Sequence, residues 1–307
     1  MNLRSAKVQN ETKKVVRHWL DNGVSGFRLL SVPYLYESEN TTLDEPPIAG
    51  LTDNSYAALD HIYTTNLVED YNFVGEIRAI LQEYEDIDGD HRVLFVEAED
   101  TKGEMAMKYY GDEEKPLADI SVNSNFVRQN VFTGTNLKDQ IVDYLSQVDK
   151  VKGWPNWLLG NADTERLASR LDDKLIEAIS MVQLLLPGTP VTYYGDEIGM
   201  KDVLLPGQSG SPCPTGNQLT AQSHCNQVRS PYQWDSTPET AGFTKAKPWY
   251  PVGDNVDTVN AKTQMETQLS FFTVYRELVN LRTKAAIMYG TFSILNVTTD
   301  DIFAFTR

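Results

Sequence analysis

Cysteine is nearly absent from these 307 residues, with only Cys213 and Cys225 present, so neither a multi-bridge scaffold nor a cysteine-rich zinc module holds the chain together. Their Gly/Ser/Pro/Gln-rich surroundings leave a short-loop disulfide open. No apolar run is long enough to cross a bilayer, and Met1-Asn2-Leu3-Arg4-Ser5-Ala6-Lys7 has no apolar h-region; neither a membrane span nor a signal peptide is expected in this chain. Positive charge is scarce. Against 43 Asp and Glu there are 27 Lys and Arg, a net charge of −16 that repels polyanions and argues against nucleic acid or an anionic membrane as partner. A neutral substrate is indifferent to that charge. The four histidines, His18, His61, His91 and His224, fit no metal or triad spacing and read as structural or solvated.

What is present is 41% hydrophobic residues, enough over this length for one large α/β domain or two ordinary ones. Three sequons, at Asn10, Asn40 and Asn296, lean towards a secretory route. Residues 5–20 carry Val8, Val15, Val16, Trp19 and Leu20 at helical spacing, and Asn22-Gly23 supplies a left-handed stop. Gly23 to Leu30 follows as a buried strand. A helix feeding a strand through so short a link is half of a βαβ unit, which places the preceding partner strand outside this chain.

From 33 to about 66 the sequence is too polar for a core and long for a connection; a functional loop and a solvated insertion are equal readings. A helix over 67–84 then presents Leu67, Tyr71, Val74, Ile77, Leu81 and Tyr84, followed by a buried strand, Val93 to Glu97. A weaker strand at Ala118 to Val122, a helix near 136–147 and a strand from Trp157 to Gly160 continue the alternation. The helix at 171–186 ends at Pro187-Gly188-Thr189-Pro190, and Val191 to Tyr194 starts the last strand. Residues 201–265 read as loop and 266–282 as a helix with Leu269, Phe272, Val274, Leu278 and Leu281 as its apolar positions. Phe292 to Leu295 and Ile302 to Phe305 read as the first strands of a β domain. The pattern predicts a parallel sheet covered by helices, either doubly wound or a (β/α) barrel.

Period two puts Val24, Gly26, Arg28 and Leu30 on one face of the opening strand, and Val93, Phe95 and Glu97 on one face of the next. In parallel barrels, side chains at the C-terminal strand ends carry the chemistry, so Arg28, Leu30, Glu97, Asn161 and Asp163 are expected to converge. Each carboxylate alone is more often a solvated strand-end residue than a catalyst; together, at equivalent ends of different strands, they bring the two readings level. Glycosidic hydrolysis with retention needs an acid and a nucleophilic carboxylate about 5–5.5 Å apart. Glu97 suits the acid; Leu30 offers no lone pair.

Gly26-Phe27-Arg28, Val32-Pro33-Tyr34-Leu35-Tyr36-Glu37, Glu97-Ala98, Leu159-Gly160-Asn161 with Asp163, Arg166 and Arg170, Leu186-Pro187-Gly188-Thr189-Pro190, Tyr193-Tyr194-Gly195-Asp196-Glu197-Ile198-Gly199-Met200 and Arg229-Ser230-Pro231-Tyr232-Gln233-Trp234-Asp235 occur in order. Together they resemble the α-amylase superfamily, glycoside hydrolase family 13, and within it the insect maltases and α-glucosidases. The resemblance implies a (β/α)8 TIM barrel followed by a C-terminal β domain. It places only the second half of the barrel, about strands 4–8, in residues 1–284, with long loops at 33–66 and 201–265, and the start of the β domain in 285–307. It puts the family's nucleophilic aspartate on Leu30, its general acid on Glu97, its sugar-holding aspartate on Asp163 and its nucleophile-orienting arginine on Arg28, with Asn161 at the substrate. The histidine usual between Asn161 and Asp163 is Ala162.

Loss of the nucleophile implies a degenerate maltase-like protein. The alternatives are a working α-glucosidase represented by a truncated chain, with Asp196 or Glu197 as the nearest replacement acid, and a non-enzymatic subunit like the heavy chains of amino-acid transporters. An α-glucoside or oligosaccharide is the implied partner and no cofactor is implied, calcium and oligomeric state being unreadable. The full-length protein is expected to be secreted or surface-anchored. An inward Arg28 without its carboxylate is costly, so Arg28 is expected to pair with Asp163 or Glu97 or to meet water.

Overall fold

The computed structural model describes residues 2–50, 56–98, 103–127, 129–204 and 226–307; Cys213, Cys225 and His224 lie outside them. Residues 1–122 and 143–155 form one compact unit, and 123–142 with most of 156–307 form a second.

In the first unit α1 (Ala6–Asp21) buries Val16 and Leu20 and ends at Gly23, whose φ of +86° is the left-handed turn the sequence predicts. Val15 and Trp19 are about half exposed, at 55% and 50%. They lie one residue ahead of Val16 and Leu20, about 100° round the helix, so only one edge of the apolar stripe is covered. β1 (Gly26–Leu29) is shorter than the predicted run from Gly23 to Leu30, because the turn at Gly23 and a left-handed Ser31 (φ 54°) bracket it.

α2 (Val68–Asp88) returns the chain to β2 (Val93–Val96), parallel to β1 in the register Gly26↔Val93 to Leu29↔Val96. Gly26 must be glycine: a Cβ there would fall 2.3 Å from the Val93 carbonyl oxygen. After the short α3 (Gly103–Met107), β3 (Ile120–Ser121) extends the sheet to the order β1-β2-β3, two residues where five were predicted. Beneath α2, Val74, Ile77 and Leu81 meet Leu94 and Val96 in the main core of this unit.

The long connection after β1 is stapled to the unit. Asn66 N donates to the Pro33 carbonyl at 2.9 Å, Ser38 N to the Tyr63 carbonyl at 2.7 Å, and Thr64 Oγ1 to Glu45 Oε1 at 2.7 Å. Asp70, fully buried in the first turn of α2, accepts from Tyr36 N at 2.8 Å and from Leu67 N at 2.6 Å, so one carboxylate fixes both the helix start and the loop. At the N-terminal ends of β2 and β3 the nearly buried Arg78 pairs with Glu85 and Asp119, and His91 bridges the same two carboxylates.

α4 (Gly134–Lys150) contains the division between the units. In the second unit β4 (Asn156–Leu158) lies parallel to β5 (Thr189–Val191), with Trp157 opposite Pro190. Both strands start and stop earlier than predicted. Pro190 fits inside β5 because its fixed φ is compatible with extended chain and only its donor is lost. Between them come the short α5 (Leu167–Arg170) and α6 (Asp173–Leu185), whose buried Gln183 amide donates to the Trp157 carbonyl at 3.2 Å and the Val191 carbonyl at 2.8 Å.

The helix predicted over 266–282 starts later, as α8 (Phe271–Arg282), and α7 (Ala261–Glu266) lies almost wholly in the stretch predicted as loop, with Leu269 80% exposed between them. The break follows from a capping box: Thr273 N donates to Ser270 Oγ at 3.2 Å and Ser270 N to Thr273 Oγ1 at 2.9 Å. α8 packs Tyr275 and Leu278 on Leu184 and Leu185, and Arg282 caps α6 by donating to the Leu184 carbonyl at 2.6 Å. α9 (Ala285–Tyr289) precedes the antiparallel pair β6 (Ser293–Ile294) and β7 (Phe305–Thr306), the latter sharing only Phe305 with the predicted strand. Among the described residues no helix is long and apolar enough to cross a membrane.

Burial pushes the Asp70 carboxyl up to about 7 from 3.8, against its two N–H donors. The fold therefore holds a proton there that the unfolded chain releases above about pH 4, and this contribution to stability falls as pH rises towards 7. Urea midpoints at pH 5 and 7.5 should differ less in Asp70→Asn than in the unmodified protein, and Asp70→Ala should cost about 2 kcal/mol at pH 5 through two orphaned N–H groups.

Candidate active site

The first unit presents the residues beyond the C-terminal ends of β1 and β2. Glu97 N donates to the Leu29 carbonyl at 2.9 Å and Val32 N to the Glu97 carbonyl at 3.1 Å, which locks the Glu97 backbone between the two strand ends. Its side chain is 13% exposed, and Oε1 forms an ion pair with Arg28 Nη2. The Arg28 side chain is 56% exposed, so the guanidinium expected to point into a buried interior instead sits at a wet rim with one carboxylate partner. Of the two carboxylates expected as partners, Glu97 takes the pair. Leu30, the residue onto which the resemblance places the nucleophile, lies one residue past β1 and is 59% exposed.

The second unit presents the loop after β4. The nearly buried Asn161 accepts through Oδ1 from Asp163 N at 2.9 Å and Thr164 Oγ1 at 3.0 Å, a turn that sets the direction of Asp163. Arg229 donates from Nε to the Ala162 carbonyl at 2.9 Å and from Nη2 to Asp163 Oδ1 at 2.5 Å. Arg170 holds the same loop from below, donating to the carbonyls of Leu159, Gln129 and Glu165 at 2.5, 2.5 and 3.0 Å. Arg166 is 1% exposed, stacks on the rings of Tyr193 and Tyr194 and donates to the Tyr194 carbonyl at 2.6 Å; its Nε and Nη2 have no hydrogen-bond partner among the described residues. These three arginines were legible only as letters of family motifs, because a guanidinium that binds backbone carbonyls leaves no spacing signal.

Asp196 and Glu197 are engaged in the turn after β5. Asp196 is buried, accepts from Tyr193 N at 3.2 Å, and burial pushes its carboxyl up to about 7. Glu197 accepts from Gly195 N at 2.9 Å and bonds the Tyr232 hydroxyl. Neither carboxylate is free to attack a sugar without dismantling that turn. Among the described residues no group of three or more His, Cys, Asp or Glu is placed to hold a metal ion.

Residues 1–290 match the family model for the α-amylase catalytic domain. The chain belongs to the α-amylase family, glycoside hydrolase family 13, whose fold is a (β/α)8 barrel. It is 33% identical to maltase A1 of Drosophila melanogaster, a match covering 100% of this chain and 55% of that protein. To the salivary α-glucosidase of Aedes aegypti it is also 33% identical, over 100% of this chain and 54% of the relative. The amino acid transporter heavy chain SLC3A1 of Mus musculus is 32% identical over 96% of this chain and 42% of its own. A crystal structure of an α-glucosyl transfer enzyme shares the fold at TM-score 0.81 and 21% identity, covering 99% of this chain and 57% of that one. The chain thus spans about half the length of the curated relatives it matches.

The two loop clamps should differ sharply in thermodynamic weight. Arg170→Met orphans three carbonyls in a largely buried setting and should cost about 3 kcal/mol, whereas Arg229→Met removes exposed contacts and should cost no more than about 1 kcal/mol. Denaturant unfolding of the two variants checks the contrast.

Proposed function

We propose that this chain is a maltase-like α-glucosidase homologue of carbohydrate metabolism that has lost retaining hydrolysis of α-1,4-glucosides while keeping the framework for an α-glucoside or oligosaccharide. What supports the reading is that Leu30 stands where the family resemblance puts the nucleophile, and that Arg28 pairs with Glu97. Retention requires one carboxylate to attack the anomeric carbon and a second to protonate the leaving oxygen. The first is absent. The second is engaged in an ion pair with Arg28.

On this reading β1–β5 are barrel strands 4–8 and residues 285–307 begin the C-terminal β domain. The full-length protein is secreted or surface-anchored. The parallel pairings and the span of about half the relatives' length support the former; the three sequons and the salivary relative of Aedes aegypti support the latter. A working enzyme with a substitute acid fits less well, since Asp196 and Glu197 are held in their own turn. The match to the transporter heavy chain favours a second reading, a non-enzymatic subunit, which also needs no nucleophile.

The test is hydrolysis of a chromogenic α-glucoside by the unmodified chain and by Leu30→Asp, each in a chain of the relatives' full length, with maltose binding measured by calorimetry. Degeneracy predicts turnover at least about 10³-fold below that of Leu30→Asp. Equal and robust turnover by the unmodified protein refutes it. Maltose binding without turnover supports the sugar-site reading, and absence of both supports the subunit reading.

A further inference from the structure

Of the three sequons, one differs from the others in the use of its threonine hydroxyl. Thr12 Oγ1 donates to the Val8 carbonyl at 3.0 Å within α1, so its proton is spent on the helix that carries Asn10. Thr298 Oγ1 is engaged with Ala304, accepting from its N–H at 3.3 Å and donating to its carbonyl at 3.5 Å. Thr42 turns instead to its own acceptor: Asn40 Oδ1 receives both Thr42 Oγ1 at 2.7 Å and Thr42 N at 3.1 Å. Asn40, Thr41 and Thr42 are all exposed, in an irregular stretch that need not unfold to admit a transferase. Thr41 and Glu39 line an open cavity of about 710 Å³ with Tyr34, which is 42% exposed, so the fold leaves room beside the turn for a first sugar.

We propose that Asn40 is an N-glycosylation site and the principal acceptor among the three sequons, an inference that rests on the secretory location proposed above. The hydroxyl and amide donors on Oδ1 draw electron density from the carboxamide and make its N–H more acidic. With a polyprenyl-diphosphate-linked oligosaccharide as co-reactant, Asn40 Nδ2 bonds the anomeric carbon and the carbon–oxygen bond to the diphosphate breaks. The diphosphate leaves with the bonding pair, and the amide proton passes to the transferase's base. Asn10 lies within α1, which is held to the core by its own Val16 and Leu20, so presenting Asn10 in a turn requires unwinding part of the helix.

The chain, given a cleavable signal peptide, is expressed in a eukaryotic secretory host, and its glycans are removed by peptide N-glycosidase in ¹⁸O-water, which marks each occupied asparagine by mass. Forced entry separates this inference from the location it rests on, which is read independently from whether the native protein is secreted. The expected result is label on Asn40 in most molecules and at least several-fold above Asn10 and Asn296. Asn40→Gln and Thr42→Ala should abolish that label, and Thr42→Ser should keep it. An unlabelled Asn40, or label on Asn10 or Asn296 equal to or above it, overturns the proposal. Occupancy is read whether or not a variant completes folding, so a misfolded product does not blunt the test.

Discussion

The parallel register of β1 against β2 is the constraint from which the site follows. Gly26 lies opposite Val93, at a separation that admits no side chain, and the two strands run in step from there to Leu29 and Val96. Their last hydrogen bonds tie Glu97 to Leu29 and Val32 to Glu97, so the side chains of Arg28 and Glu97 emerge within reach of each other and Leu30 emerges beside them. A shift of one residue would turn every one of these side chains to the other face. At the opposite end of the same strands, Arg78, Glu85, Asp119 and His91 form a closed network that leaves this end to stability and the other to chemistry.

Much of the framework was legible because continuous apolar runs and helical spacing report burial directly. The runs around Phe27, Phe95 and Trp157 became strands, and the faces of α2 and α6 became core. What the sequence hid is the choice of partner. Val15 and Trp19 have the right spacing for a buried face, yet whether that face is covered depends on elements far away in sequence. The break at Ser270 and the strand role of Pro190 depend on a single cap and a single lost donor, too local for periodicity to register. The polar stretch after β1 reads as loose because its composition is that of a loop; its order comes from Glu45 and Asp70, two carboxylates that gather backbone and hydroxyl donors.

At the site, residue identity was legible and electrostatics were not. The family resemblance puts Leu30 at the nucleophile position, and that placement is the basis of the proposed loss of activity. Two carboxylate partners for Arg28 were open, and only the geometry shows that Glu97 takes it, at a solvated rim where an unpaired guanidinium is less costly than in a buried interior. Arg170 braces the Asn161–Asp163 loop through backbone carbonyls alone, while Arg229 adds an ion pair to Asp163 to its bond with the Ala162 carbonyl. On the proposed reading, the α-amylase family framework persists around a strand end that carries no attacking oxygen.

The central claim is that no covalent glycosyl intermediate forms, and intact-protein mass spectrometry after incubation with a 5-fluoro-α-glucosyl fluoride tests it without reference to rate. The nucleophile's absence predicts an unchanged mass for the unmodified protein and a stoichiometric fluoroglucosyl adduct for Leu30→Asp at the relatives' full length. An adduct on the unmodified protein would show that another side chain has taken the nucleophile's role and would contradict the account.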